Sequence, residues 1–259
     1  GISFKADKLM KLQGLIAHIV VLASLLLSAQ GWAAAPILDS TNAAIGFGFT
    51  GATLDITYTT VSLTNPVSFV CAGAGDATSS TTHASGVVHG SDTYTELPSS
   101  FRHDGWDGVS VWYKINPTIQ AAATLTITFP AAPSITSGIA FVYSLVDQTT
   151  PFGTAALNNG SSTAPTVTVT SGVVDDVIVG CLSSDSASGI TEGGTLIKEQ
   201  QNIEGDTSYG AEAYAGSTSQ AVAWTQAENT GWAVVGWSIK QVSGGGGPDT
   251  KAFYKRRIQ

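Results

Sequence analysis

The chain has 259 residues, 43% of them apolar and 12% charged, the latter about half the usual share for a soluble domain. That is enough apolar material for one large or two small domains, and too much for a disordered chain. Residues 34–247 hold four bases (Arg102, Lys114, Lys198, Lys240) against seventeen acids, a net charge of −13; a field of that sign repels phosphate backbones and argues against a nucleic-acid partner.

The first predicted element is a secretory leader. Met10 is the only methionine, and it is followed by Lys11, an apolar run from Leu15 to Leu27, and Gly31-Trp32-Ala33. A basic start, a short apolar stretch and small residues at the end are the marks of a signal peptide, with cleavage expected after Ala33. The run is shorter than a spanning helix needs. Residues 1–33 are therefore assigned to upstream residues and signal helix, and the mature chain is expected to be secreted and free of the membrane.

From residue 34 onward no convincing 3.6-residue apolar period appears. Thr124–Phe129 and Thr166–Thr170 alternate strictly, as half-exposed strands do. Val67–Ala72, Gly138–Val146, Val177–Leu182 and Trp232–Ile239 are apolar on both faces and read as central strands. Further strands are expected at Ala44–Phe49, Leu54–Thr59, Val109–Ile115, Leu196–Gln200, Tyr209–Ala215 and Ala221–Thr225. Asn65-Pro66 and Asn116-Pro117 open new segments, and Asn158-Asn159-Gly160 suits a tight turn. Gly244–Gly247 and Pro248 mark a flexible break. The expected organisation is one all-β domain over 34–242, a two-sheet antiparallel sandwich of about a dozen strands, followed by a Gly-rich linker and basic tail over 243–259.

Each of the two cysteines follows an apolar strand core: Val67-Ser-Phe-Val-Cys71 and Val177-Ile-Val-Gly-Cys181. Secretion permits a bridge between them, and the likeness of the two patterns suggests neighbouring strands of one sheet. Two buried free thiols are the other reading.

Catalytic patterns are thin. There is no Gly-x-Ser-x-Gly elbow, and His83, His89 and His103 sit in polar stretches that read as exposed loops. A sandwich glycosidase needs paired carboxylates; Glu204-Gly-Asp206 is the nearest match and lacks a third acid, leaving Glu199, Glu204 and Glu212 as candidates. No cofactor is called for, calcium apart: Asp104 and Asp107, or Asp175-Asp176, could supply oxygen ligands. Among the tryptophans, Trp112, Trp232 and Trp237 lie in apolar strands and read as core, with Trp232 and Trp237 on opposite faces. Trp106, flanked by Asp104 and Asp107 in a glycine-bounded loop, is either a structural plug or a ligand-stacking residue.

Four segments taken in order, Val109-Ser-Val-Trp-Tyr-Lys-Ile-Asn-Pro117, Phe141-Val-Tyr-Ser-Leu-Val-Asp-Gln-Thr-Thr-Pro-Phe-Gly153, Asp175-Asp-Val-Ile-Val-Gly180 and Gly231-Trp-Ala-Val-Val-Gly-Trp-Ser-Ile-Lys240, resemble jelly-roll-like modules of secreted bacterial proteins and of phage tail or virion surface proteins. The resemblance covers residues 40–242. It implies a jelly-roll-like topology and a role in display, adhesion or packing, with no catalytic residues carried along. The expected function is a non-enzymatic surface module with a structural, adhesive or self-assembling role. The alternative is a carbohydrate-binding module using Trp106, Asp104 and Asp107, with or without calcium. A sandwich glycosidase ranks third. The expected partner is a surface glycan or a second copy of the chain.

Overall fold

The computed structural model describes residues 34–75, 83–187, 189–203 and 207–242. The expected leader (1–33), the tail (243–259) and Glu204-Gly205-Asp206 lie outside these. A compact unit runs from Ala35 to Val242. Its described residues form strands only: β1 Ile37–Leu38, β2 Ala44–Phe49, β3 Thr53–Thr60, β4 Val67–Gly75, β5 Gly86–His89, β6 Asp92–Thr93, β7 Thr95–Glu96, β8 Arg102–His103, β9 Gly108–Ile115, β10 Gln120–Thr128 and β11 Ile135–Ser144, then β12 Ala156–Ser161, β13 Thr166–Val169, β14 Val177–Ser184, β15 Ile190–Glu192, β16 Thr195–Ile203, β17 Thr207–Ala215, β18 Gln220–Gln226 and β19 Gly231–Ile239.

All-β, antiparallel structure is as the alternation predicts, but the strands make four sheets rather than two, and number nineteen rather than about a dozen. A seven-stranded sheet has the order β1-β11-β4-β9-β7, with β2 also on β11 and β8 also on β9; a four-stranded sheet has the order β3-β10-β5-β6. A five-stranded sheet, β12-β19-β14-β17-β16, and a three-stranded one, β13-β18-β15, come from the second half of the chain. The physical reason is visible in burial: β4 and β14 are buried along their whole length, and β11 and β19 at all but one residue each. A strand apolar on both faces needs a covering layer on each side, and a two-sheet sandwich supplies only one.

The layers are therefore stacked four deep around three cores. Leu54, Ile56, Val87, Leu125 and Ile127 fill the space between the four-stranded and seven-stranded sheets. Val67, Phe69, Cys71, Val111, Ile139 and Phe141 meet Val177, Val179, Cys181, Ala211, Val235 and Trp237 in the central core between the seven-stranded and five-stranded sheets. Val167, Ile178, Leu182, Val222, Trp224 and Trp232 fill the third. Trp232 and Trp237 thus lie on opposite faces of β19, as strand parity requires.

The two halves repeat one another. Cys71 on β4 is flanked in register by Val111 of β9 and Ile139 of β11; Cys181 on β14 is flanked by Ala211 of β17 and Val235 of β19. Ile45 of β2 stands opposite Ile139, and Leu157 of β12 opposite Val235. The inner orders β2-β11-β4-β9 and β12-β19-β14-β17 correspond strand for strand, as do the outer orders β3-β10-β5 and β13-β18-β15. The fold is an internal duplication.

Cys71 and Cys181 are joined in a disulfide with a Cα–Cα distance of 6.2 Å, inside the usual range. The bridge crosses the central core and ties equivalent strands of the two halves, so the cysteines lie on facing sheets and not on neighbouring strands of one sheet. The alternative of two free thiols is set aside.

Close packing of the halves depends on Gly73. A Cβ there would collide with Tyr209 Cε1 and lie 2.8 Å from Cδ1 of the same ring and 2.9 Å from Ser137 Oγ. The Tyr209 ring, itself buried, crosses β4 where the glycine leaves room. Gly73→Ala is expected to destabilise the protein by about 1–3 kcal/mol through overpacking, measured by urea denaturation. Buried hydroxyls lock the outer layer of the first half: Tyr94 Oη donates to Ser68 Oγ at 2.8 Å, Tyr58 Oη shares a hydrogen bond with the same oxygen at 3.1 Å, and Ser68 Oγ donates to the Phe141 carbonyl. Burial pushes both phenols well above their ordinary range.

The unit has two distinct ends. Ile37 stands opposite Ser144, and the Val242 N–H donates to the Leu145 carbonyl at 3.0 Å, so the first described strand begins and the last one finishes at one end. At the other end β4 stops at Gly75, β9 starts at Gly108, β14 stops at Ser184, and β17 and β19 start at Thr207 and Gly231. Loops of both halves gather there.

Candidate functional site

The turn Asp104–Asp107 connects β8 to β9 at the end remote from Ile37 and Val242. Its shape follows from local chemistry. Asp104 Oδ1 accepts the backbone N–H groups of Trp106 at 2.8 Å and Asp107 at 2.7 Å, an Asx turn, and the Asp104 N–H donates to the Asp107 carbonyl at 3.0 Å. Gly105 has φ of +124°, a conformation open to glycine, and its N–H donates to His103 Nδ1 at 3.1 Å. The turn also leans on the second half of the chain. A Cβ at Gly231, the first residue of β19, would collide with Asp104 Oδ2.

This arrangement holds the Trp106 side chain outward. It is 62% exposed, whereas Trp112, Trp224, Trp232 and Trp237 are buried. Trp106 is therefore not a structural plug. Asp107 points the other way and is 1% exposed. Its carboxylate faces the space beside Gly75, where a Cβ would lie 2.8 Å from Asp107 Oδ1, 3.2 Å from Tyr209 Oη and 3.3 Å from Thr207 Oγ1. The turn itself separates the two acids: Asp104, half-buried, lies at its start beside Trp106, and Asp107 closes it with its side chain directed inward. Of the three predicted residues, Trp106 and Asp104 share a surface and Asp107 does not.

Calcium finds no support in this geometry, since Asp104 Oδ1 is occupied by two N–H groups and Asp107 is enclosed. Among the described residues no three His, Cys, Asp or Glu side chains are grouped to hold a metal ion. The other oxygen-ligand candidate, Asp175-Asp176, is a loop clasp: Asp176 is buried and its Oδ2 accepts the Val173 N–H at 3.1 Å, while burial raises its carboxyl above the ordinary range.

The histidines divide. His83 is half-buried outside any strand, stacks on Phe101 with centroids 4.1 Å apart and bonds Glu96 through Nε2 at 2.8 Å, while His103, expected in an exposed loop, is half-buried in strand β8. His89 corrects the reading of an exposed loop residue. It is fully buried in β5, tilted against the Tyr58 ring, with Nε2 3.2 Å from the Tyr58 carbonyl, and burial lowers its pKa. Glu212 is also sealed inside, its carboxylate accepting the Gly194 N–H at 2.8 Å and the Tyr214 hydroxyl at 2.9 Å. Burial pushes it up to about 7. A carboxylate enclosed under Tyr214 and the Gly193-Gly194 turn has no route to a polysaccharide, so Glu212 is a structural residue.

Two features were not anticipated. Asn158-Asn159-Gly160, expected as a tight turn, lies within edge strand β12, where Asn158 Nδ2 donates to the Thr166 carbonyl at 2.7 Å and Asn159 Oδ1 accepts from Arg102 Nε at 2.7 Å and from its Nη2. Arg102 thereby ties β8 of the first half to β12 of the second. The equivalent edge strand, β2, carries Phe47 and Phe49, 46% and 42% exposed, their rings in an edge-to-face pair 5.7 Å apart. The sequence did hold a signal for the duplication that relates these edges. Asp104-Gly105 and Glu204-Gly205 precede the equivalent strands β9 and β17.

No family model and no curated protein matches the chain.

Proposed function

We propose that this chain is a secreted, non-enzymatic surface module, built of two stacked jelly-roll repeats, that associates with further copies of itself. The strand order supports the jelly-roll reading. Counting eight principal strands in each half, the inner sheet runs first, eighth, third, sixth, and faces an outer sheet of second, seventh, fourth. The disulfide supports an oxidising, extracellular setting. Among the described residues no helix is long and apolar enough to cross a membrane.

The observation that carries self-association is the β2 edge. Among the described residues β2 pairs with β11 alone, and residues 43–54 contain no charge and no proline. Sheet proteins guard their edges with such residues because an open row of N–H and C=O groups invites another strand. The equivalent edge β12 is guarded by its two asparagines and Arg102. On β2 two phenylalanines stand exposed instead, beside the free edge. Pairing of β2 with β2 of a second copy, antiparallel about a twofold axis, buries both rings and satisfies the edge.

Size-exclusion chromatography with light scattering is expected to show a concentration-dependent dimer of the mature protein. Phe47→Lys with Phe49→Lys should give monomers with an unchanged circular dichroism spectrum. Monomers of the unaltered protein at high concentration would defeat the proposal.

A further inference from the structure

We infer that the Asp104–Asp107 turn is the binding point for an uncharged glycan, with the Trp106 indole as its stacking platform. This adds a ligand to the surface-module reading and is independent of pairing through β2.

Three observations carry it. The first is exposure: burying an indole is among the largest single gains available to a fold, yet this ring is 62% exposed while the other four of the mature chain are packed away. The second is fixation. Asp104 Oδ1 takes two N–H groups of the turn, His103 Nδ1 takes a third, and Gly231 leaves space for Asp104 Oδ2 against β19. A ring presented on a backbone held at so many points loses little freedom when a ligand covers it, so more of the stacking energy is realised as affinity. The third is the setting. The turn abuts the second half: Asp104 Oδ2 lies against Gly231 at the start of β19, and Arg102 of β8, just before the turn, donates through Nε to Asn159 Oδ1 of β12 at 2.7 Å. The ring thus stands where both halves meet, at the end opposite Ile37 and Val242.

Charge chooses the class of ligand. Asp104, Asp185 and Glu228 lie on this end with Arg102 as the opposing base, and residues 34–247 carry a net charge of −13. Sulfated or carboxylated sugars are repelled, and so are nucleotides. Sugar hydroxyls, by contrast, can donate to carboxylate oxygens while the apolar C–H face of the ring stacks on the indole. A neutral oligosaccharide satisfies both requirements.

The test is isothermal titration of the mature protein with cellohexaose, maltohexaose and N-acetylchitohexaose, with heparin as the polyanionic probe. Binding to at least one neutral hexasaccharide is expected, together with quenching of tryptophan fluorescence. Trp106→Ala should weaken it about tenfold or more, the usual worth of an aromatic stack. Gly231→Ala, which keeps the ring but displaces Asp104, should weaken it as well. Phe47→Lys with Phe49→Lys should leave it intact, so loss of oligomers with retained binding overturns the self-association reading alone. Absence of binding to all three sugars, equal binding by a folded Trp106→Ala protein, or preference for heparin overturns the glycan site.

Discussion

Replacing Cys71 and Cys181 together by alanine is expected to lower the unfolding free energy by about 4–5 kcal/mol, the loop-closure value for a bridge spanning a sequence separation of 110. Both sulfurs are buried in the central core, so the lost volume adds a smaller cavity cost. Urea denaturation followed by fluorescence measures the change. The form of the transition is as informative as its midpoint. The central core draws on β4, β9 and β11 from the first half and on β14, β17 and β19 from the second. Neither half can expose that surface and stay folded, so the double variant should still unfold in one step, with a somewhat steeper slope because the unbridged denatured chain exposes more surface. Two separate transitions would show that the halves are independent domains merely stapled together.

The second large effect concerns Glu212. Its carboxyl is buried, and burial raises its pKa from 4.5 to about 7 in the folded protein. The folded state therefore holds a proton that the unfolded chain releases at lower pH. Stability from this group is fully present below about pH 4.5 and falls as pH rises to about 7, beyond which the loss is complete. The expected difference between pH 4.5 and pH 8 is about 3 kcal/mol from this residue. Glu212→Gln should remove most of that slope. The amide can still accept the Gly194 N–H, and Tyr214 can turn its hydroxyl to the Ala223 carbonyl 3.2 Å away. Asp176 and Glu199 shift in the same direction, so some slope remains. A variant no more stable than the parent at pH 8 would contradict this account.

How far the fold could be read in advance depended on strand length and on which faces were covered. Every strand of six residues or more except β12 was foreseeable, because alternation or a doubly apolar run spans several periods. β1, β6, β7 and β8 have two residues each and carry no periodicity at all. Val67–Ala72, Gly138–Val146, Val177–Leu182 and Trp232–Ile239 already demanded cover on both sides, a condition that two sheets cannot meet. β12 was hidden because its asparagines are satisfied by side-chain bonds to distant partners, Thr166 and Arg102, that no local pattern reveals.

The site was legible in part for similar reasons. Glycines bounding Trp106 marked a turn, and a turn exposes its side chains. The same spacing misled for Asp107, which closes the turn with its side chain directed inward toward Gly75 and Tyr209. Phe47 and Phe49 follow Ile45 on one face of β2, and Ile45 packs against the central core. Alternation alone would bury all three. The face runs out of cover as the strand proceeds, and only tertiary structure shows where.

The disulfide has a mechanical consequence for a molecule tethered through its two chain ends. Tension applied at Ala35 and Val242 reaches Cys71 along β1–β4, crosses the covalent bond to Cys181, and leaves through β15–β19. Residues 72–180 lie outside the loaded path. The Trp106 turn, with β8 and β9 on either side of it, belongs to that sheltered stretch, so a pull on the tether would leave its backbone slack while β1–β3 and β15–β19 bear the force.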